Sequence, residues 1–179
     1  PRVIEVSPSS NSVKVAAGLT YGELAPALHS QGWALHNLAS LPHISIAGSI
    51  ATGTHGSGIT NQNLASQVIS FDIVTAEGEL RHIDRTNPAL NALAVGLGLS
   101  GIVYQYELKI EPTFQIRQVI YPDIPLDVLQ RNFEQIMGTG YSVSYFTDWS
   151  SARVGNLWCK FRDNEVIPES VGGSGKAET

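Results

Sequence analysis

Ser40-Leu-Pro-His-Ile-Ser-Ile-Ala-Gly-Ser-Ile-Ala-Thr-Gly-Thr-His-Gly-Ser-Gly58 joins small residues, hydroxyls and two histidines with almost no charge, and nothing else in the chain resembles it. Between Ala47 and Gly58 four of twelve positions are glycine and most of the others are Ser, Thr or Ala, so the backbone is bare and its N–H groups can approach a ligand closely. Successive backbone N–H groups form an anion-binding concavity that suits phosphate oxygens, and the hydroxyls of Ser45, Ser49, Thr52 and Thr54 add hydrogen bonds without adding charge. The competing reading is structural: turn chemistry alone enriches Gly and Ser, and a tight loop here would simply let two elements pack.

Ahead of this stretch, residues 3–6 and 13–16 are short β-branched runs separated by Ser7-Pro-Ser-Ser-Asn-Ser12, which predicts a β-hairpin. Thr20-Tyr-Gly-Glu23 has the spacing of a capping box, where a hydroxyl and a carboxylate satisfy two unpaired N–H groups at a helix start. The helix is expected over residues 21–31, stopping at Gly32, with Leu24, Ala27, Leu28 and Gln31 on one side. Pro26 inside it predicts a kink or an early end.

Behind the stretch, residues 67–76 read as a strand, Glu77-Gly78 as its turn and residues 80–83 as its return partner. Thr86-Asn87-Pro88 offers a cap and a proline for a short helix over residues 89–95, ended by Gly96 and Gly98. Residues 102–110 alternate as a strand that halts at Glu111-Pro112. The texture then changes. Residues 115–121 read as a strand, 126–137 as one amphipathic helix closed by Gly138, and strands follow near 142–148 and 157–161. The expected organisation is one domain over 1–112, the beginning of another over 113–171, and a Gly-rich tail over 172–179 that packs nothing.

With 42% hydrophobic and 15% charged residues among 179, the chain is globular, and a net charge of −5 argues against a general nucleic-acid or anionic-membrane binder, which would normally show a basic face. The single Cys159 excludes an internal disulfide and a multi-cysteine metal site, in keeping with a reducing, cytoplasmic setting. No apolar run reaches transmembrane length. Pro1 is followed almost at once by a strand, with no initiating Met, so the chain reads as the middle of a longer protein.

Two motifs fail their context. Gly96-Leu-Gly-Leu-Ser-Gly101 satisfies G-x-G-x-x-G, but a dinucleotide fingerprint follows a strand and opens a helix, whereas here a helix precedes and a strand follows. A tight turn, its backbone lying against a cofactor or against the neighbouring strand, is the expected role. No G-x-x-x-x-G-K-[ST] occurs, which removes P-loop chemistry. His29, His36, His43, His55 and His82 form neither H-E-x-x-H nor a Cys/His cluster, so no metal site is expected. Ser40 and His43 lack a G-x-S-x-G elbow. His55 either orders its loop or hydrogen-bonds a cofactor oxygen. Tyr141, Tyr145, Trp149 and Trp158 could line a cleft, although core packing is the default for aromatic residues on strands.

The wording of the central stretch resembles the flavin-binding segment of the alditol (xylitol) oxidases, members of the vanillyl-alcohol-oxidase-like FAD superfamily. Val13-Lys-Val-Ala-Ala-Gly-Leu-Thr-Tyr-Gly-Glu-Leu-Ala25 before it, and Asn63-Leu-Ala-Ser66, Val74-Thr-Ala-Glu-Gly78 and Gly96-Leu-Gly-Leu-Ser-Gly-Ile-Val103 after it, look like the same family in the same order. The resemblance covers roughly residues 1 to 150. One departure is His36 before Asn37, where the family usually has proline.

This resemblance implies an α+β fold: the second subdomain of a PCMH-type FAD-binding domain, followed by the start of an α+β substrate (cap) domain. It implies FAD as cofactor, contacted by Ser40, Ser45, Gly48, Thr52, Gly53, Thr54, His55 and, through its backbone, Ile102. Ser40 would also face the substrate. The histidine that carries covalent FAD belongs to an upstream motif, and the catalytic residues lie downstream; neither is expected in this chain. The implied activity of the full-length parent is oxidation of alditols such as xylitol or sorbitol by oxygen, giving an aldose and hydrogen peroxide. A sugar-lactone oxidase or dehydrogenase of the same superfamily, and a non-catalytic nucleotide-binding remnant, remain alternatives.

Overall fold

A computed structural model describes residues 4–177. Among them, contacts divide the chain into two compact units: one ends at Gly56 and resumes over Gln62–Thr113, and the other takes Ser57–Asn61 together with the residues from Phe114 onward.

The first unit is built on a five-stranded antiparallel sheet. β1 (Ile4–Ser7) and β2 (Ser12–Ala16) form the expected hairpin, with Val6 opposite Val13; Val3 lies outside the described residues. β4 (Val68–Val74) and β5 (Leu80–Asp84) form the second hairpin around Gly78. β6 (Ile102–Lys109) runs between the two hairpins, giving the order β1-β2-β6-β4-β5. Val13 and Val15 point inward while Lys14 is exposed, the two-residue alternation of a sheet with one wet face.

That alternation breaks in β4, where a register shift between Val68 and Ser70 opposite β6 buries both Ser70 and Phe71. The shift delivers the Ser70 hydroxyl to Glu107 Oε2 at 3.2 Å, while Ser12 donates to Oε1 at 2.6 Å. Two hydroxyls thus satisfy one carboxylate in the middle of the sheet.

α1 (Tyr21–His29) lays Tyr21, Leu24 and Leu28 into the core, where Leu24 and Leu28 are fully buried. Its capping box forms as the sequence predicts: the Glu23 N–H donates to Thr20 Oγ1 at 3.3 Å, and the Thr20 N–H donates to Glu23 Oε2 at 3.1 Å. Pro26 withholds one hydrogen bond from the first turn, yet the helix continues past it. It nevertheless closes two residues short of Gln31, which is exposed. β3 (Trp33–Ala34) then pairs with β7 (Glu111–Pro112).

α2 (Ile46–Ala51) and α3 (Leu90–Ala94) contribute Ile46, Ile50, Leu90 and Ala94 to the same core. α3 is shorter than expected. Thr86 donates to Asp84 Oδ1 instead of capping a helix, and the Asn87 side chain accepts from the Ala89 N–H in a local turn.

In the second unit, β8 (Ile116–Pro125), β10 (Arg153–Arg162) and β9 (Ser142–Phe146) form an antiparallel sheet in that order. Leu157, Cys159 and Phe161 of β10 are fully buried. The single helix expected over 126–137 is two, α4 (Leu126–Arg131) and α5 (Phe133–Met137). Asn132 breaks it, leaving helical geometry at φ −120° and ψ 27°, while its backbone N–H at 3.1 Å and its side-chain amide at 2.9 Å both donate to the Val128 carbonyl and cap α4.

The tail expected over 172–179 to pack nothing instead carries β12 (Ser174–Gly175), which pairs with β11 (Ser170–Val171) just ahead of it, where Val171 is buried. Gly172 and Gly173 both have positive φ, the signature of a two-residue hairpin turn, so the glycines that read as linker make the turn. The Ala177 N–H donates to the Ile120 carbonyl at 2.8 Å; residues 178–179 lie outside the described part. Ser57–Asn61, expected within the first domain, belongs to the second unit because Ser57 shares a hydrogen bond with Ser142 and Asn61 donates to the Tyr141 carbonyl at 3.0 Å.

Candidate functional site

The central stretch holds α2 (Ile46–Ala51) in its middle. Ser45 is extended, bridged to Thr20, and caps α2 by accepting the Gly48 N–H at 3.2 Å. Ile46, Ser49 and Ile50 recur at helical spacing and turn inward; Ser49 Oγ lies 3.0 Å from the Tyr21 hydroxyl and 2.9 Å from the Ile46 carbonyl. Ala47, Gly48 and Ala51 form another face of the helix, and it bears nothing larger than a methyl group.

At its end Thr52 Oγ1 donates back to the Gly48 carbonyl at 2.9 Å and lies 3.1 Å from Thr54 Oγ1. Gly53 follows with φ 65°, a conformation that glycine adopts freely and other residues rarely. A Cβ on Gly53 would sit 3.4 Å from Val95 Cγ1.

Over residues 46–54 the expectation of a bare N–H cradle is corrected by the hydrogen bonds. The N–H groups of Ile46 and Ala47 donate to Leu19 and Ala17, and those of Ser49, Thr52, Gly53 and Thr54 donate to carbonyls within the stretch. With the Gly48 N–H held by Ser45, the helix itself has few donors left for phosphate and, at six residues, little dipole, and the N–H groups that could still serve are those beyond it, over residues 55–58. A small-residue run can shorten a helix into a tight corner as readily as it can bare a loop.

Instead, α2 forms one side of an apolar cleft of about 420 Å³. Gly48 and Thr52 line it from the helix, and Ile102 and Tyr106 from β6. The turn over residues 96–101 supplies another wall. Leu97 and Gly98 have positive φ there, and a Cβ on Gly101 would meet the Val74 carbonyl at 2.3 Å, so the turn lies flat against β4, the neighbouring strand. The G-x-G-x-x-G pattern is therefore a strand-entry turn preceded by helix, the opposite of a Rossmann context. Around the cleft Leu97, Leu99 and Ile102 are 70%, 89% and 75% exposed, an apolar rim large for a free surface.

Of the residues singled out by sequence, Gly48, Thr52 and Ile102 come together in this cleft, with Gly53 and Thr54 in the next turn. Ser45 holds the helix start. Ser40 and His55 are exposed and do not line the cleft; His55 Nδ1 lies 2.9 Å from the Gly56 carbonyl. Sequence reading passed over Tyr106, whose signal was its place in phase with Leu108 on the inward face of β6. Burial pushes its phenol up to about 12, with the nearby Tyr21 adding to the shift.

The remaining histidines are dispersed: His82 Nδ1 lies 2.6 Å from Asp72 Oδ1, His36 Nδ1 3.3 Å from Glu111 Oε1 and His29 Nδ1 3.1 Å from Thr113 Oγ1. Among the described residues no three His, Cys, Asp or Glu side chains are grouped to hold a metal. Core packing, the default for the C-terminal aromatics, fails for two of them. Trp149 is 77% exposed, and Trp158 alternates with buried Leu157 and Cys159, so it stands on the outer face against Phe146, ring centroids 5.0 Å apart. Tyr141 instead packs with Phe114 and the Arg162 guanidinium.

Residues 1–84 match the family model of an FAD binding domain. The chain is 41% identical over 169 residues to alditol oxidase of a Streptomyces strain, covering 94% of this chain and 40% of that protein. It is 32% identical over 130 residues to L-gulonolactone oxidase of Bos taurus, covering 72% of this chain and 30% of that protein. The chain thus spans well under half the length of these curated relatives. A crystal structure of cholesterol oxidase from B. sterolicum superposes with a TM-score of 0.77 at 18% identity, covering 96% of this chain and 35% of that one, a likeness of fold.

Proposed function

The chain belongs to the PCMH-type family of FAD-binding flavoproteins, and on that premise we propose that it is part of an FAD-dependent oxidase of alditols such as xylitol and sorbitol. The observation that carries the reading is the convergence of Gly48, Thr52 and Ile102, from α2 and a strand fifty residues further on, in one apolar cleft. Bound FAD would supply the redox chemistry, a two-electron oxidation of the alditol coupled to reduction of oxygen, giving an aldose and hydrogen peroxide.

This chain's own part is to hold and shield. Ala47, Gly48 and Ala51 keep side chains out of the way of a flat ring, while Ile73, Val103 and Leu93 exclude water from it. Gly53 turns the backbone so that Thr54 and His55 continue along the same ligand. Ser40, exposed ahead of α2, is assigned to both FAD and substrate. No residue of the chain is assigned as catalytic base or as the covalent attachment point.

Action on a sugar lactone is the second reading, favoured by the identity to L-gulonolactone oxidase. The full-length protein should purify yellow and release peroxide from xylitol faster than from L-gulono-1,4-lactone. The reverse order would favour the lactone reading, and a colourless protein that FAD does not restore would remove both.

A further inference from the structure

Buried tyrosines normally place the hydroxyl on a partner. Tyr21 does so with Ser49 at 3.0 Å, and Tyr121 donates to the Pro168 carbonyl at 2.5 Å. Tyr106 does not. It is 1% exposed and its ring packs on Phe71, centroids 5.8 Å apart, but among the described residues nothing hydrogen-bonds its hydroxyl. The residue lines the cleft opposite Gly48 and Ala51, where the other polar side chains are those of Thr52, already bonded to the Gly48 carbonyl, and Ser100. The hydroxyl is nevertheless not among the fully buried polar atoms left without a partner, so it keeps a path to water, and a ring seated in the cleft would close that path at a cost unless the ring supplied an acceptor. The high pKa of the phenol keeps the proton in place at neutral pH, so it is a donor there.

We propose that the Tyr106 hydroxyl donates a hydrogen bond to a ring nitrogen or ring carbonyl of a flat heteroaromatic group seated in the cleft, and thereby selects that ring and its orientation. Apolar walls grip the faces of any flat ring and discriminate poorly between rings. A single buried donor discriminates strongly, because a ring without the matching acceptor leaves it unpaired. FAD carries two such groups, its adenine and its flavin, and both offer acceptors at the ring edge. The inference rests on the reading of this cleft as part of the FAD site.

The test uses the full-length protein prepared free of flavin, titrated with ADP and separately with FMN, as wild type, Tyr106→Phe and Ala51→Phe. Tyr106→Phe removes one unpaired oxygen and should fold with an unfolding midpoint no lower than wild type. It should weaken one of the two probes about tenfold, and the probe affected identifies the ring: ADP for adenine, FMN for flavin. Unchanged affinity for both overturns the proposal. Where neither probe binds alone, the ratio of flavin to protein after expression with riboflavin is the readout, and an unchanged ratio overturns it equally. Ala51→Phe fills the cleft and separates the two claims. If it abolishes binding while Tyr106→Phe has no effect, the cleft reading stands and the role of Tyr106 falls. If Ala51→Phe binds as wild type does, the cleft reading falls and takes the inference with it.

Discussion

The backbone N–H of Leu97 donates to the carbonyl of Ala51 at 3.2 Å, which fastens the turn before β6 to the last residue of α2. Two walls of the cleft are thereby joined by a backbone bond, and its shape depends on the conformations of the two segments that the bond connects.

Gly53→Val tests the first segment. The residue has φ 65°, where a β-branched side chain is strained, and the new methyls would press on Val95. Flavin content of the full-length variant is expected to fall severely after purification identical to wild type. Equal content in the two proteins would count against this corner as part of the FAD site.

Gly101→Ala tests the second. With φ 134° and the Val74 carbonyl 2.3 Å from the position of a Cβ, even a methyl group forces β4 and β6 apart. A loss of about 2–3 kcal/mol is expected from strain of this kind. Denaturant titration measures it, and a loss below about 0.5 kcal/mol, the scatter of neutral substitutions, would contradict the close approach.

Thr20→Ala removes one side of the capping box without touching the cleft. A cost of about 1 kcal/mol in unfolding free energy is expected, with flavin content retained. Loss of flavin alone would show that Thr20, bridged to Ser45, acts on the site and not on the helix.

Burial pushes the Cys159 thiol up to about 11 from an ordinary value of 9.0. The folded state keeps this proton in a range where the unfolded chain releases it, so the thiol's contribution to stability is complete below pH 9 and is lost as pH rises towards 11. Tyr106, pushed from 10.0 to about 12, acts in the same direction one unit higher. Stability should therefore decline above about pH 9, and a thiol reagent at pH 8 should label Cys159 only as fast as the protein opens. Rapid labelling of folded protein would contradict the burial.

The parts of the fold legible in sequence are those fixed by local chemistry. Thr20 and Glu23 announce a helix start by their own side chains, and Glu77-Gly78 closes a hairpin between two alternating runs. The misreadings share a cause: one local pattern serves two structures. Gly172-Gly173 is linker chemistry and hairpin-turn chemistry alike, and only the burial of Val171 decides between them. Asn132 sits in a good amphipathic pattern, but its backbone leaves the helix at φ −120° and its side chain caps the turn on the Val128 carbonyl. The small residues of α2 suggested free N–H groups, yet Ala17 and Leu19, far back in the chain, accept them. Tyr106 was hidden for the opposite reason: its inward phase on β6 made it look like core, and what sets it apart is a missing partner.

The most direct measurement is the visible spectrum of the full-length protein when xylitol is added without oxygen. The account predicts an oxidised flavin band that bleaches as the alditol reduces it and returns, with one peroxide per flavin, when air is admitted. A protein with no flavin band, or a band that xylitol leaves untouched, would contradict it.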